Sequence, residues 1–131
     1  MYNETIIYYS KNPVNKGKLE EFDVEYFEEN EICGDDLKVF LKIDDNKITD
    51  WSFTWDTAII TTACASIFGE AIVWMTLEEV LEKWYEFIVE LIESEVSSRR
   101  KNASLLGLLT THNAIHKYLW DWKIEDFDDL N

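Results

Sequence analysis

The chain has 131 residues, enough for one ordinary domain around a single hydrophobic core and too few for two. Hydrophobic residues make up 47% of it and aromatics 15%, which supplies the apolar surface that folding needs and excludes global disorder. Against 12 basic residues stand 27 acidic ones, a formal net charge of -15; such a field repels nucleic-acid phosphates and anionic lipid, so neither a nucleic-acid nor a membrane partner is expected.

Asn3 to Ser10 carries Ile6, Ile7 and Tyr9 behind a capping Asn3 and stops before Asn12-Pro13, so a short first helix is expected. After the turn chemistry of Asn15-Lys16-Gly17, Phe22, Val24 and Tyr26 alternate with Asp23, Glu25 and Phe27, the period-two pattern of a half-buried strand. Leu37, Val39, Leu41 and Ile43 repeat that period, and Asp45-Asn46 turns the chain into a third strand over Ile48 to Trp55. Short turns between successive strands make an antiparallel sheet with one covered face the economical solution.

The period then changes. Ala58, Ile59, Ala63, Ser66 and Ile67, behind Asp56 as cap, form an almost neutral helix that has to be covered on most sides. The longest uncharged stretch, Thr57 to Gly69, is about 13 residues against the roughly 20 that span a bilayer, so it reads as a buried helix. Thr76-Leu77-Glu78-Glu79 is a capping box, and Val80, Leu81, Trp84, Phe87, Ile88, Leu91 and Ile92 fall on one stripe of a long amphipathic helix. A last helix is expected from about Asn102 to Trp120, followed by an acidic tail. Strands followed by helices give an α+β class: a three-stranded antiparallel sheet packed against helices in one domain, 1–131, with the short acidic tail from about 123.

Met1-Tyr2-Asn3-Glu4 lacks the basic segment and apolar run of a signal peptide, and two cysteines, Cys33 and Cys64, suit a reducing compartment; a cytoplasmic protein is the expectation. With four glycines scattered singly there is no phosphate loop, no nucleophile elbow and no Cys-x-x-Cys pair, so hydrolase, kinase and nucleotide-binding readings have no support and no enzyme is expected. The acidic runs Glu20-Glu21, Glu28-Glu29 and Asp126 to Asp129 read as solvated surface or as a face for a basic partner.

Asn30-Glu31-Ile32-Cys33-Gly34-Asp35 is the most informative string. A Cys on a turn, with Gly to let the backbone bend and Asp two positions on, presents one soft and one hard ligand from one loop. Spacing alone favours the plainer reading of a partly buried Cys beside a solvated Asp pair. The order of elements and four local strings, however, resemble the iron-sulfur cluster assembly scaffolds of the IscU, SufU and NifU N-terminal type. Tyr9 to Gly17 is similar to the family's opening, a Tyr-containing helix ending at Asn-Pro-Arg-Asn-x-Gly, with Val14 here in place of Arg. Asn30 to Asp35 resembles the Asn-Pro-x-Cys-Gly-Asp loop that holds the first cluster cysteine. Ile48 to Phe53, with Ala58-Ile59 and Ala63-Cys64-Ala65-Ser66, follows the third strand and the helix behind it. Arg99 to Leu105 resembles Arg-x-Lys-Cys-Ala-Thr-Leu at the start of the last helix.

The resemblance implies a SufE/NifU-like scaffold fold and a place in iron-sulfur cluster assembly, with a cysteine desulfurase or another assembly protein as partner. It implies Cys33 as metal ligand or persulfide acceptor, and Asp35 as the labile second ligand that lets a cluster leave. It also exposes what is missing: the second family cysteine falls on Ala58, or on Thr57 with a one-residue slip, and the third on Asn102. A [2Fe-2S] cluster takes two protein ligands on each iron, chiefly thiolates, so Cys33 and Asp35 do not suffice. Cys64 lies six residues past Ala58, about 9 Å along a helix against a metal-thiolate bond of about 2.3 Å, and reads as a small buried helix residue instead. Lys101 matches a basic residue that would favour a neighbouring thiolate, but no Cys follows it.

His112 and His116, at i and i+4 of the last helix, put two rings on one face, a spacing compatible with a metal although no acidic residue accompanies them in a His-Glu-x-x-His arrangement. Trp51, Trp55 and Trp74 read as core or sheet-face packing. Three functions follow: a scaffold-like protein binding iron, zinc or a cluster through Cys33 and Asp35, shared between two chains; an adaptor or regulator of the assembly machinery that binds no cluster or metal; and a persulfide carrier at Cys33, which Glu31, Asp35 and Asp36 disfavour by raising the thiol's pKa.

Overall fold

The computed structural model describes residues 3–30 and 34–131. Helix α1 (Glu4–Lys11) starts as its sequence demands: the Asn3 side-chain oxygen accepts the Ile6 N–H at 2.9 Å, satisfying one of the first-turn donors that no helix can pair internally. The same side chain donates to the Ile92 carbonyl at 2.7 Å and so anchors the N-terminus to the distant fourth helix.

Strands β1 (Val24–Asn30), β2 (Asp35–Asp44) and β3 (Lys47–Asp56) form one antiparallel sheet in the order β1-β2-β3. Between β2 and β3, Asp45 and Asn46 have φ of 52° and 62°, the left-handed pair of a two-residue hairpin turn, which Asp and Asn tolerate. In register, Val24, Leu41 and Trp51 lie across the sheet, as do Tyr26, Val39 and Phe53, and these side chains make the covered face. The first strand begins at Val24 rather than Phe22. Phe22 instead sets its ring edge-on to Phe40, centroids 5.2 Å apart, and covers that otherwise outward-facing ring. The free edge of β3 is capped by residues 15–17: Gly17 N–H donates to the Phe53 carbonyl at 2.8 Å and Phe53 N–H to the Asn15 carbonyl at 3.1 Å.

Helix α2 (Ile59–Ile72) is central and buried on most sides, as expected of a neutral helix. It begins at Ile59 with Ala58 as its cap residue, not Asp56. Helix α5 (Lys101–Leu119) packs on both α2 and the sheet. A Cβ added to Gly107 of α5 would come within 2.9 Å of the Ala65 Cα of α2, so glycine permits that contact. One turn further on, the Trp51 ring fills the space against Gly69 of α2, and its indole N–H donates to the Thr111 hydroxyl of α5 at 2.9 Å. Since Ala65 meets Gly107 and, four residues on, Gly69 and Thr111 share Trp51, the two helices run parallel and start at the same end of the domain.

The single long amphipathic helix expected after the Thr76 box is two short ones, α3 (Leu77–Leu81) and α4 (Tyr85–Ile92). The box itself forms, with Thr76 Oγ accepting from Glu79 N–H and Glu79 returning to Thr76 N–H. The break comes where Lys83 N–H shifts to the Val80 carbonyl and Trp84 adopts an extended conformation. The apolar stripe survives it, with Val80, Ile88 and Ile92 all buried. Of the three tryptophans expected as packing residues, Trp51 is buried, whereas Trp74 is exposed and held at φ 80°; the Trp55 side chain lies outside those described. Among the described residues no helix is long and apolar enough to cross a membrane.

Candidate functional site

Residues 31–34 join Asn30 at the end of β1 to its register partner Asp35 at the start of β2. Gly34 has φ 74°, a conformation that favours glycine, and its N–H donates to the Asn30 carbonyl at 2.9 Å. Cys33 belongs to this connection by sequence and lies outside the described residues. Asp35 is buried, and both carboxylate oxygens are engaged: Oδ1 accepts the Ala58 N–H at 2.9 Å and Oδ2 the Thr61 hydroxyl at 2.7 Å. Ala58 is the cap residue of α2 but has no side chain to close that terminus. A strand carboxylate therefore does what an N-cap side chain does, and puts negative charge at the positive end of the helix.

Asp35 and Ala58 are thus neighbours, and the parallel start of α5 brings Asn102 to the same end. The Thr57 hydroxyl is bonded to Thr62 at 2.6 Å. Lys101 sets its ammonium over the Tyr85 ring, 4.2 Å from the centroid, so its charge is held by a cation-π contact. The Asn30 side-chain N–H2 group, buried beside Asp35, has no partner among the described residues. A cluster asks for about four anionic or soft donors. Beside Ala58 and Asn102 the sequence offers one thiol, Cys33, and one carboxylate already holding a helix terminus, and this set does not fit a [2Fe-2S] group.

Cys64 is fully buried in α2, and burial pushes its thiol up to about 12. It is inert packing, as expected from its place in the helix.

His112 and His116 do lie on one face of α5, and the C-terminal segment folds back over them. His112 Nδ1 is 2.9 Å from Glu125 Oε1 and Nε2 is 2.8 Å from the Val80 carbonyl. His116 Nδ1 is 2.8 Å from Asp121 Oδ2 and Nε2 is 2.6 Å from Glu125 Oε2. All four ring nitrogens face oxygen atoms. Between the rings, Asn113 accepts the Glu125 N–H at 2.8 Å and donates to Glu28 at 2.9 Å. Burial pushes Glu125 up, but the hydrogen bond and charge of His112, and then of His116, outweigh it and leave the carboxyl below its ordinary value. Glu28 goes the other way: burial raises it, and the Asn113 bond offsets this in part. Among the described residues no group of three or more His, Cys, Asp and Glu side chains is arranged to hold a metal.

Beyond α5 two tryptophans take left-handed conformations, Trp120 at φ 56° as the helix C-cap and Trp122 at φ 64°. Glycine usually fills such a cap, and a bulky residue there costs roughly 1–2 kcal/mol. Their rings meet edge-to-face with centroids 6.1 Å apart.

Residues 1–123 match the NifU-like N terminal domain family. The chain belongs to that family. It is 31% identical over 102 residues to the iron-sulfur cluster assembly scaffold protein IscU of Thermotoga maritima, a match covering 78% of this chain and 67% of that protein. It is 32% identical over 81 residues to the zinc-dependent sulfurtransferase SufU of Bacillus subtilis, covering 62% of this chain and 54% of that one. With the 59% covered of an IscU from Archaeoglobus fulgidus, the chain spans about two thirds or less of these relatives. The crystal structure of a putative SUF-system scaffold from Fervidobacterium islandicum superposes with a TM-score of 0.78 at 23% identity, over 87% of this chain and 96% of that one, so the fold is shared.

Within this NifU-like domain the fold sets Asp35, read from the sequence as a ligand, against Ala58, which the resemblance matches to the second family cysteine. The sequence pattern misses Thr61 as the second partner of Asp35, and Glu125 as the residue joining the two histidines. The available signal for Glu125 was an acidic residue 13 positions after His112, just before the run Asp126 to Asp129 read as solvated surface or as a face for a basic partner.

Proposed function

We propose that this NifU-like domain serves iron-sulfur cluster assembly as an adaptor on the scaffold fold, binding a component of that machinery, such as a cysteine desulfurase or an authentic scaffold, and holding no cluster within a single chain. The observation that carries this is the Asp35 carboxylate, whose two oxygens close the Ala58 terminus and the Thr61 hydroxyl. Both oxygens of that carboxylate are taken by protein groups, where the family resemblance implies a donor for metal, and Ala58 and Asn102 add no thiolate. Cys33 is left as a single soft donor, so metal binding through it takes a second donor set from another chain.

Anaerobic incubation with ferrous iron and sulfide, followed by iron and acid-labile sulfide analysis, tests the reading. The expected result is a colourless protein with neither retained, and the same from Cys33→Ser. Iron and sulfide that persist in the parent, vanish in Cys33→Ser and elute with a dimer would replace it with a cluster or metal shared between two copies. Binding to a purified desulfurase or scaffold is the complementary expectation, and failure to bind either would refute the adaptor role.

A further inference from the structure

At the far end of α5 from Asp35, a cleft of about 350 Å³ opens between the helix end, Tyr26 of β1 and the returning segment, with Trp120, Trp122 and Ile124 as its apolar walls and Lys117 and Lys123 beside them. We infer that this cleft docks a protein segment that inserts a bulky apolar side chain flanked by carboxylates.

Three features lead there. The walls are unusually bare: Trp120 is 76%, Trp122 87% and Ile124 78% exposed. Apolar surface of that kind marks an interaction site, and tryptophan is the residue most enriched where binding energy concentrates. Its charge is the reverse of the molecule's. In a chain with 27 acidic residues to 12 basic, the lining holds two lysines and no carboxylate; of the acidic neighbours, Glu125 and one oxygen of Asp121 are turned to His116, the other Asp121 oxygen takes the Lys123 N–H and Glu28 is bonded to Asn113. An anionic occupant is therefore favoured locally although the whole chain repels it. The walls are also held in place. Glu125 ties the returning segment to His112, His116 and Asn113, fixing Ile124 and Lys123 against α5, and Trp120 and Trp122 keep left-handed conformations that present both rings outward. A preorganised wall loses less freedom on binding. A small ligand of the cleft's volume would leave most of two indoles wet, whereas a polypeptide covers them, which favours a protein segment.

The test is a titration of the isotopically labelled full chain with a capped hexapeptide, a Leu-Phe pair between two acidic residues on each side, followed by NMR. Saturable shifts of the Trp120 and Trp122 indole N–H signals and of amides 117–124 are expected, weakened about tenfold by Lys117→Glu with Lys123→Glu. The dispersion of that variant's own spectrum reports whether it is folded. A peptide with lysines for its carboxylates should bind more weakly; equal or tighter binding would overturn the inference. So would shifts that map elsewhere or no shift up to about 1 mM peptide. Indole-3-acetate binding as tightly as the peptide would make this a small-molecule site instead. The cleft shares no residue with the Asp35 end, so this test and the metal test fail independently.

Discussion

The Asp35 carboxylate stands 2.9 Å from the Ala58 N–H, joining the first residue of β2 to the cap of α2. Asp35 is thereby a structural residue whether or not a metal ever reaches it. Asp35→Ala removes the helix cap and strands the buried Thr61 hydroxyl, and should cost about 1–3 kcal/mol, a fall in Tm of several degrees. Asp35→Asn keeps one acceptor for Ala58 and should lose less. Equal, unchanged melting temperatures for both variants would contradict this role.

The contact of Gly69 with Trp51 should be the least forgiving point of the core. A Cβ at Gly69 would lie 2.0 Å from the Trp51 ring, which its bond to Thr111 and its burial keep from retreating. Gly69→Ala should destabilise by about 1–3 kcal/mol or more, as overpacking does. In a Trp51→Leu background the same change should cost less, and a double-mutant cycle by denaturant unfolding measures the difference.

Acid stability should depend on Glu125. Its pKa lies below the ordinary carboxylate value, so its stabilisation is present above the unfolded-state pKa and is lost as pH falls through the folded one. Glu28, raised by burial, works in the opposite sense: its ionised form weighs against the fold, and protonation relieves that. The wild-type Tm should therefore decline from about pH 5 downward, and Glu125→Gln should start lower at neutral pH and lose less on acidification. Parallel Tm profiles for the two proteins would show that the carboxylate contributes no linkage.

The pattern of elements was legible because most of its signals are local. Asn3 and Thr76 cap helices within three residues, and Asp45-Asn46 turns a hairpin by itself. The break between α3 and α4 was not, because Glu82, Lys83 and Trp84 contain neither Gly nor Pro, and the interruption leaves Val80, Ile88 and Ile92 on the same buried side. For the same reason the cap of α2 was misplaced: its carboxylate comes from a strand 23 residues earlier, beyond any local window. The histidine spacing located a real cluster, but its chemistry is decided by Glu125, which returns from outside the helix.

Burial makes Cys64 a control for thiol chemistry. With its thiol pushed up to about 12, there is almost no thiolate at neutral pH and no access for reagent. Native Cys33→Ser protein should take up no iodoacetamide at pH 7 and one equivalent in denaturant, read by mass spectrometry. Labelling of the native variant would mean that α2 opens.

Restoring the missing donors is the strongest test of the site's placement. Asp35 and Ala58 are in contact, and the shared Trp51 and the Ala65-Gly107 approach show that α5 starts beside α2. Ala58 is exposed and Asn102 half-buried, so cysteine fits at both positions without overfilling a core. Ala58→Cys with Asn102→Cys would add two thiolates to Cys33, and a [2Fe-2S] cluster held by them would draw Asp35 from the Ala58 N–H and the Thr61 hydroxyl as its fourth donor. Anaerobic reconstitution of the double variant should then give a visible chromophore with iron and sulfide in about equal amounts, lost again on Cys33→Ser. Either cysteine alone should give little or none. A folded double variant that stays colourless would mean that Ala58 and Asn102 are not the vacated positions; a coloured one would mean that the family's architecture is intact here and that the missing thiolates alone keep this chain from holding a cluster by itself.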